Sequence, residues 1–211
     1  SVKLYFMLGL PTETDEDVAA IAELVNKIVY CWRQNATNKK RRLSINLATA
    51  FFVPKPFTPF QWEKQTSPEE YLRRVHLLQS CLTARGVDYR YHESDLSRLE
   101  AVLARGDRRL SKVLLRAHAL GCKLDGWDEY FRYDLWMQAF SDCGVDPEFY
   151  TTRGFAEDEI LPWQTIDIGV SRDFFLRERA LAYESVTTPD CRTKCAGCGA
   201  WSLSERGVCD E

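Results

Sequence analysis

The stretch Val2-Lys3-Leu4-Tyr5-Phe6-Met7-Leu8-Gly9-Leu10-Pro11-Thr12-Glu13-Thr14-Asp15-Glu16-Asp17-Val18 decides the fold class. Lys3 to Leu8 is short, apolar and rich in aromatic residues, and reads as a fully buried strand ended by Gly9-Leu10-Pro11. Thr14 stands where a helix N-cap belongs, and Asp17 completes a capping-box pattern beside Asp15 and Glu16. Val18, Ile21, Val25, Ile28 and Trp32 then recur at helical spacing and give the helix one apolar face.

Working outward, a polar loop holding the basic run Asn38-Lys39-Lys40-Arg41-Arg42 leads to a second strand, Leu43 to Val53. This strand alternates at first and then becomes continuously apolar. Ser67-Pro68-Glu69-Glu70 opens a second helix, with Ser67 as cap and proline at the first helical position. Its apolar positions are Tyr71, Val75, Leu78 and Leu82, and Gly86 closes it. Val87 to Tyr91 is a third short strand. Strand–helix–strand–helix–strand predicts parallel strands joined by right-handed crossovers, an α/β fold.

From Asp95 the rhythm is helical: Asp95 to Ala104, Arg109 to Leu120, Asp128 to Phe140 and, after a looser segment, Ser171 to Glu184. Trp127, Phe131 and Trp136 read as core, with Asp125 or Asp128 as a cap. The expected division is therefore 1–94, the strand-and-helix part, 95–185, a helical accessory region, and 186–211, a cysteine-rich tail.

With 211 residues, of which 45% are hydrophobic, the chain can bury one large core or two small ones. A net charge of −3 argues against a nucleic-acid partner, and the run at 38–42 reads as a solvated loop. No stretch approaches the roughly 20 apolar residues of a membrane span, and no signal peptide is recognisable. Cys31, Cys81, Cys122 and Cys143 stand singly, as buried thiols do in a reducing compartment, so a cytoplasmic protein with no membrane partner is expected. Because a terminus seldom lies inside a buried strand, Ser1 reads as the first residue of a fragment.

Three segments carry candidate chemistry. Gly9 to Val18 lies at a strand's C-terminal end, the edge where parallel α/β sheets bind ligands; an ordinary capped strand–turn–helix connection would read the same way. Phe52-Val53-Pro54-Lys55-Pro56-Phe57-Thr58-Pro59-Phe60-Gln61-Trp62 has three prolines at alternating or near-alternating positions. They hold the backbone extended, remove three N–H donors and, with the flanking aromatics, make a rigid groove for a flat group such as a nucleobase, or a loop packed on the protein itself. In the tail, Cys191, Cys195, Cys198 and Cys209 offer four thiolates, enough for a tetrahedral zinc site or an iron–sulfur cluster. His76, His92 and His118 share no metal-binding spacing, and no catalytic residue can be named.

Gly9-Leu10-Pro11-Thr12-Glu13-Thr14 and Pro54-Lys55-Pro56-Phe57-Thr58-Pro59, in that order, resemble the second half of the radical S-adenosylmethionine (SAM) core. In that superfamily a Gly-Leu-Pro-x-Glu-Thr turn commonly ends the fifth barrel strand. A Pro-(Lys/Arg)-Pro-x-Thr-Pro segment commonly follows the sixth, beside the adenine of SAM. Many members have Gly or His where this chain has Phe57. The stretches Leu99 to Arg109, Asp125-Gly126-Trp127-Asp128-Glu129, Tyr133-Asp134-Leu135-Trp136, Leu161-Pro162-Trp163 and Thr188-Pro189-Asp190-Cys191-Arg192 are similar to one subfamily. In it a cobalamin-binding-type domain precedes the barrel.

The resemblance implies the last strands and helices of a partial (β/α) barrel. It implies SAM contacts from Gly9, Leu10, Pro11, Glu13, Val53, Pro54, Lys55, Pro56, Thr58 and Pro59. A 4Fe–4S cluster would be held by a C-x-x-x-C-x-x-C loop preceding these strands, outside the chain, so the fragment alone is expected to be inert. The reduced cluster, fed by a donor such as flavodoxin or ferredoxin, would cleave SAM to a 5′-deoxyadenosyl radical that takes a hydrogen atom from an unidentified substrate. Cys191-x-x-x-Cys195-x-x-Cys198 has the same spacing but follows the strands, so it is read as an auxiliary iron–sulfur or zinc site with Cys209 as candidate fourth ligand. The alternatives are cobalamin-assisted methyl transfer and a zinc-knuckle module that binds RNA or protein.

Overall fold

The computed structural model describes residues 1–38 and 41–200. Its elements, in order, are β1 (Val2–Leu8), α1 (Asp15–Asn35), β2 (Ile45–Phe51), α2 (Pro68–Cys81), β3 (Val87–Tyr91), α3 (Ser94–Arg105), α4 (Leu110–Leu120), α5 (Tyr133–Asp142), a 3-10 turn (Pro147–Phe149) and α6 (Arg172–Tyr183). The three strands form one parallel sheet in the order β1-β2-β3, so the protein is mixed α/β. Leu8 pairs with Phe51, and Ile45 with Val87.

Local sequence chemistry sets the helix starts. Thr14 and Asp17 form the reciprocal capping box ahead of α1, and Ser67 Oγ accepts from the backbone N–H of Glu70 ahead of α2. Both helices cover the same face of the sheet. Val18, Ile21 and Val25 of α1, with Tyr71, Val75 and Leu78 of α2, pack on Leu8, Ile45, Leu47 and Phe51. The Phe51 and Tyr71 rings lie parallel with centroids 4.1 Å apart. Each fully buried aliphatic side chain of this layer contributes about 1.5–3 kcal/mol of hydrophobic stabilisation.

The other face of the sheet corrects the sequence reading. β1 alternates rather than being buried throughout: Tyr5 is 74% and Met7 50% exposed. β1 has a strand partner on one side only, and α1 and α2 cover only the face bearing Leu4, Phe6 and Leu8. Its composition signals the apolar character of both faces but not whether both are covered.

Two further cores lie beyond the sheet. Leu99 and Val102 of α3 pack with Val113 and Ala117 of α4 and with Trp136 and Phe140 of α5. A third joins Trp62, and beside it Phe57, to Phe155, Leu161, Trp163 and Phe175, so the loop after β2 packs on the C-terminal part of the chain. Trp127, expected in the core, is 63% exposed. α5 begins at Tyr133 rather than Asp128 because 124–130 is a run of turns; its N-cap, Arg132, makes no side-chain cap bond, so neither Asp125 nor Asp128 caps it. No helix among the described residues is long and apolar enough to cross a membrane.

Candidate ligand-binding edge and cysteine tail

Because β1 and β2 are parallel and Leu8 pairs with Phe51, the Gly9 turn and the proline segment leave the same edge of the sheet on neighbouring strands. The pairing continues one step further, with the Phe52 N–H donating to Leu8 O at 2.9 Å.

Gly9 holds φ at +91°, and a Cβ there would stand 3.3 Å from the Phe51 ring. Its N–H donates to Glu13 Oε2 at 2.9 Å, and its carbonyl accepts from Thr66 Oγ1 at 3.1 Å. Glu13 in turn receives Arg74 Nη1 at 2.5 Å; its side chain is 5% exposed. Burial pushes the Glu13 carboxyl pKa up, against the opposing pull of the Gly9 N–H and Arg74. Arg74 is held from its other side by Glu70, and Arg73 joins Glu70 to Asp15. Gly9 and Glu13 thus shape the turn from within, and Leu10, Pro11 and Thr12 present its outer surface. A cavity of about 470 Å³ lies against this turn, bounded by Leu10, Thr12 and Glu13 together with Met7, Asp17 and Leu24.

In the second segment Phe52, Val53 and Pro54 are buried, Lys55 is exposed, and Pro56 to Pro59 are half-buried. Two carbonyls of this segment are occupied: Gln65 Nε2 donates to Phe52 O at 3.2 Å, and Thr58 Oγ1 to Lys55 O at 2.8 Å. Lys55 forms an ion pair with Glu100 of α3. Phe57 takes φ +58°, a conformation that favours glycine, at the position where the resemblance shows Gly or His. Its N–H donates to Gln61 Oε1 at 3.2 Å, and the same oxygen accepts Trp163 Nε1 at 2.7 Å. The two turns share an edge but not a cavity: Phe57 lines a second one, which no residue of the Gly9 turn touches.

In the tail, Cys191 and Cys195 are exposed, Cys198 is half-buried, and all three are free thiols. The backbone N–H of Gly197 donates to Cys195 Sγ, and that of Ala200 to Cys198 Sγ, each at 3.4 Å. Such N–H···S contacts stabilise thiolates and suit a metal-binding knuckle. Cys191 does not join them, and among the described residues no three His, Cys, Asp or Glu side chains are gathered to hold a metal ion. Cys209 lies outside the described residues. The knuckle docks on the start of α6, where the Ser171 N–H donates to Cys198 O at 2.8 Å and Arg177 donates to Ala196 O.

The sequence reading missed Arg74, Thr66, Gln61 and the buried Arg105. Arg105 donates to the carbonyls of Glu63 and Arg153 and lies 4.4 Å from the Phe155 ring centroid; burial pulls its pKa down to about 10. One signal was available for Arg105, which falls three residues after Val102 on the apolar face of α3.

No protein-family model matches the chain, and no solved structure matches it. An uncharacterized protein of Methanocaldococcus jannaschii is 32% identical over 144 residues, which cover 68% of this chain. The chain spans 30% of the length of that relative, whose name states no activity.

Proposed function

We propose that this chain is the SAM-facing C-terminal part of a radical SAM enzyme. The observation that carries the reading is that the two motif-bearing turns leave adjacent parallel strands at one edge of the sheet, the first of them bordering a cavity large enough for a ligand. Leu10, Pro11 and Thr12 would supply the contacts of the first turn, with Gly9 and Glu13 as positioning residues. Pro56 and Thr58 would supply those of the second, with Val53 and Pro54 as buried anchors and Lys55 tied to α3. The exposed face of β1, carrying Tyr5 and Met7, would turn toward the barrel interior.

In the enzyme so proposed, the cluster and SAM together supply the radical chemistry, and an external protein donor supplies the electron. This chain's residues orient SAM's adenine side and exclude water from part of the substrate face. The knuckle around Cys195 and Cys198 would hold an auxiliary cluster or zinc, separate from the SAM-cleaving site. A cobalamin-assisted methyl transfer would use the same strand-end contacts.

The test is anaerobic reconstitution with iron and sulfide, followed by SAM and dithionite and an assay for 5′-deoxyadenosine. A polypeptide that joins this chain to a three-cysteine cluster loop should form it, and the chain alone should not. Turnover by the chain alone, abolished by Cys195→Ala, would make the tail the catalytic cluster and overturn the assignment.

A further inference from the structure

The cavity bordered by Phe57 has a volume of about 230 Å³ and lies in the third core, between the loop after β2 and residues 159–175. Its walls are aromatic: Trp62 and Trp163 line it with Phe57 and Phe175. Small-molecule sites run to roughly 300–1,000 Å³, so this one has room for a single ring system rather than a whole cofactor.

Gln61 also lines it and is 5% exposed. Two donors, the Phe57 N–H and the Trp163 indole, converge on Gln61 Oε1 and fix which end of the amide is oxygen. The opposite end, Nε2, is left to donate elsewhere and is not fully buried. On the adjacent residue, Trp62 Nε1 is buried without a partner. Buried donors are nearly always satisfied, so the Trp62 indole N–H without an acceptor calls for a ligand that brings one, and Gln61 Nε2 is a second donor on the adjacent residue. Two carboxylates, Glu159 and Asp167, line the same cavity against one guanidinium, Arg172, which disfavours a phosphate and favours a neutral group.

We propose that this cavity is a nucleobase pocket: a planar, neutral ring stacked among the indoles and phenyl rings, with an acceptor atom on Gln61 Nε2. That the ring belongs to the enzyme's substrate rests on the radical SAM reading; the pocket itself does not. A bound SAM would also have to meet the Gly9 turn, which lines the other cavity, so this pocket is assigned to a different ring, and competition by SAM tests that assignment.

The experiment is ligand-observed NMR on the full chain, without iron or reductant, titrating adenosine, guanosine, cytidine and uridine, with SAM as competitor. At least one nucleoside should bind saturably with Kd on the order of 1 mM or tighter. Gln61→Glu keeps the oxygen that accepts from Phe57 and Trp163 but removes the donor, and should weaken binding about tenfold. Ile166→Trp, at a 58% exposed position of the lining, should block the pocket without touching the core. No saturable binding, binding unchanged in both variants, or displacement by SAM would each overturn the proposal. Nucleoside binding with no SAM effect at the strand-end turns would sink the radical SAM reading alone.

Discussion

The carboxylate of Glu13 accepts the backbone N–H of Gly9 at 2.9 Å, and the same oxygen receives Arg74 from the neighbouring helix at 2.5 Å. The turn at the end of β1 is therefore closed by its own chain and clamped to α2. Removing Glu13 opens the turn and strips a mostly buried guanidinium of one of its two carboxylates. Glu13→Ala should cost about 2–3 kcal/mol in urea unfolding, and Glu13→Gln, which keeps an acceptor, about 1 kcal/mol. Equal losses in the two variants would mean that the hydrogen bond to Gly9 contributes nothing.

The same network makes stability pH-dependent in two directions. Hydrogen bonding from Arg73 holds Glu70 down at about 2, against an ordinary 4.5, so ionised Glu70 favours the fold. Its contribution is present above pH 4.5 and is lost as the pH falls through about 2. Burial shifts Glu13 upward, so its ionisation opposes folding, and that penalty lifts as the pH falls through its raised pKa. Glu70→Gln should flatten the loss of urea resistance between about pH 5 and about pH 2.5. A variant curve parallel to wild type would assign the acid limb elsewhere.

Phe57 stands at φ +58° with its side chain half-buried. Asparagine tolerates that conformation and a β-branched residue does not. Phe57→Asn should therefore be more stable than Phe57→Val by about 1 kcal/mol, the reverse of their order in hydrophobicity. A more stable valine variant would show that ring burial alone decides this position.

Gly199 holds φ +95°, and a Cβ there would stand 2.9 Å from Gly169 O, where the tail meets the start of α6. Gly199→Ala should loosen this docking, so Cys198 should react faster with a thiol reagent while the helical signal stays unchanged. Metal and sulfide analysis of anaerobically purified protein checks the knuckle directly. Zinc or iron bound by the wild type and lost in Cys195→Ser is the expected result; neither metal, with freely reactive thiols, would remove the site.

What was legible in the sequence was local. Thr14 with Asp17 and Ser67 with Pro68 announce two helix starts because a cap needs only residues three or four apart. Strand–helix alternation implies parallel pairing because crossovers allow little else. What was hidden depends on distant partners: Gln61 meets Trp163 across 102 positions, and Glu13 meets Arg74 across 61. The exposure of Tyr5, Met7 and Trp127 was equally hidden, since their apolar character is the same whether or not something covers them.

Hydrogen–deuterium exchange of the chain with and without SAM tests the central claim most directly, because it reads each strand-end turn separately. The account predicts slowed exchange in peptides covering both 9–14 and 53–60, with the rest of the sheet unchanged. Protection in neither segment at saturating SAM, or protection confined to the cysteine tail, would contradict it.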